Sequence, residues 1–491
     1  MKLMTGFEKS LRLFCGVVLL LMKQTEGSIF NAPCKVSSEC KHIYNDHYEC
    51  HQQHCSRELF STTPKEMFGY ALVAATSMVT NAGGVGAGTI SVPTFLFFFN
   101  FVSSEAIPLS RLTIFSASLV NYIINFTSRD PENPKKFLIN YELASVMMPL
   151  LMAGSQVGVI LSKFLPAFLV TIILFAYLIS STWQMFTRAM KERAKEKEQE
   201  KALQSHEEMQ GDVTTDSVPS DKGNSAGGER EHTMETERTV TGSSVCEVQS
   251  SFVGEVEAPP STWTLLGRNV PNFVSILSSF GLLLILSLAK GGEGRPPLIH
   301  MEHCGLGSWV LTIGSQVAFM AIAVALYLSN AKKFREEDAK FSDPEAALNR
   351  DRIRQELLLA GYKTGVLAGF LGVGGGMVLG LHMLNLGMDP QVSTALSTFV
   401  SLFSSAGTSF QFVIAGAIQM RHAWWLMILG LLGSTLGNYW LKAILKKYNK
   451  PSVLFWILSV VLTISTIILP VEVVINLIDK NKSALSFGSI C

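Results

Sequence analysis

The sequence predicts an all-α polytopic membrane protein, built as two inverted repeats with glycine-broken helices and about 8–10 membrane segments. Three observations carry this reading. First, 48% of the 491 residues are apolar and only 16% are charged, a charged share well below the roughly 25% of ordinary soluble domains. Second, the charge is segregated into a few polar stretches, while the apolar segments are nearly free of it. Third, a glycine-rich break interrupts a long apolar block twice, as N-A-G-G-V-G-A-G at 81–88 and as G-F-L-G-V-G-G-G at 369–376. Each glycine costs a helix roughly 1 kcal/mol relative to alanine. A bilayer tolerates interrupted backbone only where protein or a watery cavity satisfies its polar groups. Paired interruptions in the two halves of a membrane chain therefore mark a binding site.

Taken in order, residues 1–27 read as a secretory signal peptide. Lys2, Lys9 and Arg12 precede an apolar core at 11–22 that is too short to span comfortably, and a cleavage site falls within 25–28. The alternative is a retained anchor. Residues 28–65 form a Cys-rich luminal or extracellular segment. Its Cys34, Cys40, Cys50 and Cys55 enter an oxidising compartment, which predicts disulfides with the pairing open. His42, His47, His51 and His54 interleave with them, but the intervals match no strong zinc signature, so no metal is assigned.

The first transmembrane repeat, 66–188, holds a broken block at 67–102 and spans at 106–126, 137–161 and 165–186. At 189–262 the composition shifts to Glu, Lys, Ser, Thr and Gly. Such a stretch cannot bury enough surface to offset its ordering entropy, so it reads as a disordered cytoplasmic loop. Its alternating charges at 191–201 extend the preceding helix, and its many Ser and Thr make a regulatory site the alternative to a plain linker. Linking transmembrane helices follow in 263–330, at 270–289 and 310–328, and then a charged cytoplasmic loop at 331–354. The second repeat, 355–471, has its broken block at 357–386 and spans at 392–418, 424–444 and 453–471, before a C-terminal tail at 472–491.

Charge sets the orientation. With the Cys-rich segment outside and each broken block returning to its own side, Arg129, Lys135 and Lys136, the long loop, Lys332, Lys333 and Arg335, and Lys446 and Lys447 all fall inside, as the positive-inside rule requires. The first block then starts outside and the second inside, which makes the repeats inverted. The result is a multi-pass integral protein of the secretory pathway, in the plasma membrane or an endomembrane.

After each break comes a Ser/Thr-rich span: E-A-I-P-L-S-R-L-T-I-F-S-A-S at 105–118 and M-D-P-Q-V-S-T-A-L-S-T-F-V-S at 388–401. Glycine breaks expose backbone N–H groups at half-helix N-termini, where the dipole favours an anion. Hydroxyls add neutral donors. The candidate site is therefore Gly83, Gly84, Gly86, Gly88, Thr89, Ser110, Arg111 and Thr113 in the first half, with Gly372, Gly374, Gly375, Gly376, Thr394, Ser397 and Thr398 in the second. Arg111 is expensive in a bilayer and so is a functional candidate, unless it sits at a span end and snorkels to water. The bland reading of the hydroxyls is helix–helix packing by small residues. Glu142 and His382 are weak candidates for proton handling.

No P-loop, nucleophile–base constellation or strong metal motif is present in the spans, so the chain does not read as an enzyme and implies no cofactor. A net charge of +1 gives no case for nucleic acid. The partners expected are a small anionic substrate, protons as a coupling ion and membrane lipid; the oligomeric state is open.

Residues 83–93 (G-G-V-G-A-G-T-I-S-V-P), 106–110 and 113–115, together with 369–376 and its later Ser/Thr span, resemble the TauE/SafE sulfite exporter family. The likeness covers about residues 67–186 and 360–470, and the signal peptide, Cys-rich segment and long loop are similar to those of plant and protist members. The resemblance implies a secondary transporter or permease for sulfite or an organosulfonate, bound at the paired breaks near the bilayer midplane. Arg111 stands where a less conspicuous polar residue would be expected. The competing reading is a membrane receptor or scaffold with a disulfide-bonded luminal module and a cytoplasmic signalling loop.

Overall fold

Each long apolar block folds into a helical hairpin rather than a single span, and these two hairpins set the architecture. The structure, a computed structural model, describes residues 48–51, 54–57, 64–82, 88–99, 101, 103–130, 135–212, 261–292, 305–338, 344–418, 420–448 and 452–479. The expected signal peptide, Cys34, Cys40, Gly83, Gly84, Gly86, most of the long loop and the end of the tail lie outside these residues. Strands β1 (Tyr48–His51) and β2 (His54–Arg57) form a small antiparallel hairpin whose register sets Cys50 opposite Cys55. All other regular elements described are helices. These are α1 (Pro64–Ala82), α2 (Gly88–Phe99), α3 (Ser103–Asn125), α4 (Tyr141–Phe164), α5 (Ala167–Asp212) and α6 (Thr262–Lys290), then α7 (Leu306–Asp338), α8 (Pro344–Leu371), α9 (Gly375–Asn385), α10 (Pro390–Ile414), α11 (Met420–Tyr448) and α12 (Ser452–Asp479). Residues 1–193 and 260–491 cluster as one unit and 194–259 as another, of which the described part is the far end of α5.

Among the described residues, five helices are long and apolar enough to cross a membrane, within Ser104–Asn125, Tyr141–Phe164, Phe168–Glu198, Thr262–Lys290 and Leu306–Lys332. The chain is an all-α, multi-pass membrane protein. The outer face of α7 carries exposed Val310, Ile313, Val317 and Val324, which a bilayer solvates and water would not. Its inner face is pinned by polar groups: Ser315 donates to Gln156 Oε1 (2.7 Å), and Gln316 Nε2 donates to the same oxygen and to the Ala153 carbonyl (3.0 Å each).

Local chemistry ends the helices where the chain must turn. Asn140 caps α4 through Leu143 N (3.0 Å), and Ser261 caps α6 through Thr264 N (3.3 Å). Asp389, followed by Pro390 at the first helical position, caps α10 through Gln391 N (2.7 Å) and Val392 N (3.2 Å). Gly387, at φ +81°, closes α9: its N–H bonds Leu384 O (3.1 Å) and that of Met388 bonds Met383 O (3.2 Å), a Schellman pair. Between α3 and α4 the chain reverses: Leu138 N bonds Ser128 O (2.9 Å), and Arg129 and Phe137 form an antiparallel bridge.

The helices pair across the two halves. α4 packs along α8, α1 along α11, and α3 lies against both α10 and α11. Small residues make these seams close. Gly154 and Gly158 on α4 face the backbone of Tyr362 and Val366 on α8, while Gly365 and Gly369 face the carbonyls of Leu151 and Ser155. The two helices therefore run in the same direction with backbones in contact, the geometry that glycine at every fourth position permits. Gly433 and Gly437 on α11 meet Ala74 and Met78 on α1 in the same parallel sense. On its α3 side, α11 is tied by Ser434 Oγ to Ala117 O (3.0 Å) and by Asn438 Nδ2 to Asn121 Oδ1. Inside the first hairpin α2 doubles back on α1, with Phe99 against Gly69 and Tyr70; in the second, α9 returns along α8, with Gly375 at Thr364, and it also runs antiparallel to α10, with Gly375 at Ser404 and Gly380 at Ser397.

The seams give a prediction. A side chain at Gly365 would enter the Leu151 carbonyl, so Gly365→Ala destabilises by about 1–3 kcal/mol. Gly281→Ala on α6, where no atom lies within 4 Å, is neutral or stabilising by up to about 1 kcal/mol. Thermal unfolding of the two purified variants in detergent separates these outcomes.

Candidate functional site

The first residue of α2 meets the second glycine break. A Cβ on Gly88, the first residue of α2, would lie 2.7 Å from the Gly372 carbonyl, 2.7 Å from Gly374 N and against Ile114 Cδ1. The N-terminus of α2 thus abuts the break that precedes α9. Gly372 has φ +71°, in the left-handed region, and its Cβ would lie 2.9 Å from Ser110 Oγ and 3.0 Å from Val92 Cγ2. Both constraints admit only glycine there.

Helix α3 supplies the polar side chains at this junction. Ser110 Oγ donates to Ile107 O (2.8 Å) or Gly372 O (2.9 Å). Arg111, one residue on, is fully buried, and its Nη2 donates to the Val373 carbonyl (2.6 Å). Its Nε and Nη1 have no hydrogen-bond partner among the described residues. Arg111 therefore does not snorkel from a span end; it lies inside the protein and holds the second break. Tyr177 on α5 is within electrostatic reach of the guanidinium.

The N-terminus of α9 faces the same region. Gly374 is its N-cap and, unlike the caps of α4, α6 and α10, provides no side-chain acceptor for the first-turn N–H groups. A Cβ on Gly375 would lie 3.2 Å from Thr364 Cγ2 and 3.4 Å from Ser404 Oγ. Both hydroxyls are buried and have no partner among the described residues. Thr364 and Ser404 were not singled out in the sequence. Thr364 sits two turns before the break in a helix otherwise legible only as packing surface. Ser404 extends the Ser393, Ser397, Ser401 spacing of one α10 face, and that periodicity was the available signal.

Other predicted residues go elsewhere. Thr113 Oγ1 bonds Leu109 O within α3 (3.1 Å), and its carbonyl faces Gly430 on α11. Ser397 and Thr398 bond the Thr394 carbonyl (3.0 and 2.9 Å), and Ser397 lies against Gly380. These hydroxyls serve helix packing, because a Ser or Thr in a helix can return its proton to the preceding turn. Gly376 is in the first turn of α9, and Thr89 is the second residue of α2.

The arrangement combines a buried cation only partly satisfied by one carbonyl, an uncapped positive helix end and two unpartnered hydroxyls. Each feature favours an anion. Such a centre, formed by discontinuous helices inside an apolar bundle, is of the kind that membrane transporters build.

Comparison with known proteins gives the family. Residues 69–211 and 304–469, more than half of the chain, match the profile described as "Sulfite exporter TauE/SafE", and the chain belongs to that family. It is 24% identical over 424 residues to the Arabidopsis thaliana "Sulfite exporter TauE/SafE family protein 3", covering 84% of this chain and 79% of the relative. It is 23% identical over 445 residues to family protein 1 of the same plant, covering 89% and 90%, and 22% identical over 394 residues to family protein 5, covering 80% of each. No solved structure matches.

The junction yields a second prediction. Gly372→Ala places a Cβ in a left-handed conformation, at roughly 1–2 kcal/mol, and also against Ser110 and Val92. Gly88→Ala pushes the two breaks apart. Both variants should lose transport while still reaching the membrane, whereas Ser110→Ala, which only removes a shared hydroxyl, should retain most of it. Flux per molecule at matched surface expression is the measurement.

Proposed function

We propose that the chain is a secondary transporter for a small sulfur oxyanion, sulfite or an organosulfonate, bound where the two glycine breaks meet near the bilayer midplane. The single observation that carries this reading is Arg111. A guanidinium at the centre of a membrane helix costs at least about 2.5–3.5 kcal/mol, and here one carbonyl is its only hydrogen-bond acceptor among the described residues. An oxyanion would supply the missing acceptors and the missing charge. The uncapped α9 N-terminus, Thr364 and Ser404 would complete its coordination. The names of the Arabidopsis relatives support sulfite as the first substrate to test.

Inverted repeats are part of the same proposal. α1, which opens the first half, runs parallel to α3 and α11; α4, which follows α3 through a reversal, runs parallel to α8, which opens the second half. The opening helices of the halves thus point in opposite directions. Such repeats allow alternating access, with the halves rocking about a fixed central site. Proton coupling, disulfides in the Cys-rich segment and entry through the secretory pathway belong to this proposal as further expectations. A receptor or scaffold has no need of a half-satisfied buried cation, and that reading is not carried forward.

The test is flux of labelled sulfite, sulfate and a small sulfonate into proteoliposomes, with and without a pH gradient. Wild type should move one of them selectively, and Arg111→Gln should lose at least about tenfold in rate, the worth of one charge-assisted hydrogen bond. The variant loses the Val373 bond but also an uncompensated buried charge, so its thermal unfolding temperature without ligand should stay close to wild type's. Sulfite should raise the unfolding temperature of wild type only. Arg111→Gln with undiminished flux would exclude the site.

A further inference from the structure

We infer that Arg188 is a positioning residue for this site, acting through the short helix α9; the inference rests on the reading that the α9 N-terminus binds the anion. α9 has 11 residues, so its two ends are coupled as a rigid rod. Its N-terminal end is the uncapped one at the junction. At its other end, Arg188 Nη1 on α5 donates to the Leu384 carbonyl (3.1 Å). The same guanidinium is paired one turn on with Glu192 (3.0 Å), and the two side chains are only 14% and 10% exposed. Ala189 and Glu192 are buried as well, so α5 stays packed through this turn.

The physical consequence is a clamp on both ends of one rod. A cation at a helix C-terminus complements the negative end of the dipole, and a charge-assisted bond to a carbonyl holds the backbone more firmly than a neutral one. Arg111 holds the chain one residue before the α9 cap, and Arg188 holds α9 in its last turn. α5 lies outside the two hairpins and continues beyond Arg188 to Asp212. The position of the anion-facing N–H groups is therefore set by a residue on a different helix from those that form the junction. Glu192 fixes the rotamer of Arg188 and keeps the fork aimed at Leu384.

The experiment uses full-length protein in liposomes with sulfite as the probe, and compares Arg188→Ala, Arg188→Lys and Glu192→Gln with Arg111→Gln. Arg188→Ala should raise the half-saturating sulfite concentration roughly tenfold, with little change in maximal rate or in the amount of folded protein. Arg188→Lys should recover most of the affinity because it still donates to Leu384, and Glu192→Gln should fall between. Amide hydrogen exchange at the far end of α9, in 384–388, should quicken in Arg188→Ala and not in Arg111→Gln, whose effect is confined to the Val373 end. An unchanged half-saturating concentration with unchanged exchange in α9 overturns the inference. So does an equal loss of folded protein in Arg188→Ala and Arg188→Lys, which would make the role merely structural. If Arg111→Gln fails to transport while Arg188→Ala behaves as wild type, the site stands and the clamp falls. If Arg111→Gln transports normally, the site reading falls, and the exchange data alone then decide whether Arg188 holds α9.

Discussion

The hydrogen bond from Arg111 to the Val373 carbonyl is the contact on which the centre of the molecule depends. It joins a helix of the first half to the break of the second, buries a cation where a bilayer would otherwise exclude one, and leaves two of its nitrogens without a partner among the described residues. Ser110 on the preceding residue reinforces it at Gly372. Together they hold the break in a left-handed turn that would otherwise have free choice of conformation, and they fix where α9 begins.

That contact is possible only because the surrounding helices come unusually close. Glycines on α4 and α8, and again on α11, let backbones touch without side chains between them. In a membrane, where burying apolar surface gives little drive to association, such packing and a few interhelical hydrogen bonds must hold the bundle. The Gln156, Ser315 and Gln316 cluster and the Asn121, Ser434 and Asn438 cluster are those bonds. The fold thus spends its small residues on closeness and its polar residues on a few buried knots, and the junction is one of the places where buried polar groups have no partner among the described residues.

The hydroxyl-rich spans show how similar residues acquire different roles. Thr113, Ser397 and Thr398 return their protons to their own helices and pack against glycine or a neighbouring helix. Ser404 and Thr364 flank the first residue of α9 and do not. Ser397 and Ser404 share one face of α10, but Ser397 bonds its own helix and lies against Gly380 in the middle of α9, whereas Ser404 stands at Gly375, where α9 begins. Arg188 is a further case: its charge pattern in the sequence is that of a solvated helix, yet it is buried against the end of α9.

The sequence by itself determined the class of fold, the two broken blocks and the pairing of the breaks with polar spans, because hydropathy and glycine clusters are local properties that a bilayer reads directly. It also singled out Arg111, since a charge within an apolar span is conspicuous in one dimension. What it left open was whether Arg111 reached water, which hydroxyls faced the breaks, and which residues held the far end of α9. Only the tertiary structure decided these, because each depends on the rotation of one helix against another and on contacts across about 200 or more residues of chain, such as Ser110 with Gly372 and Arg188 with Leu384. Periodicity gives a helix its faces; the neighbour that each face meets is set by packing.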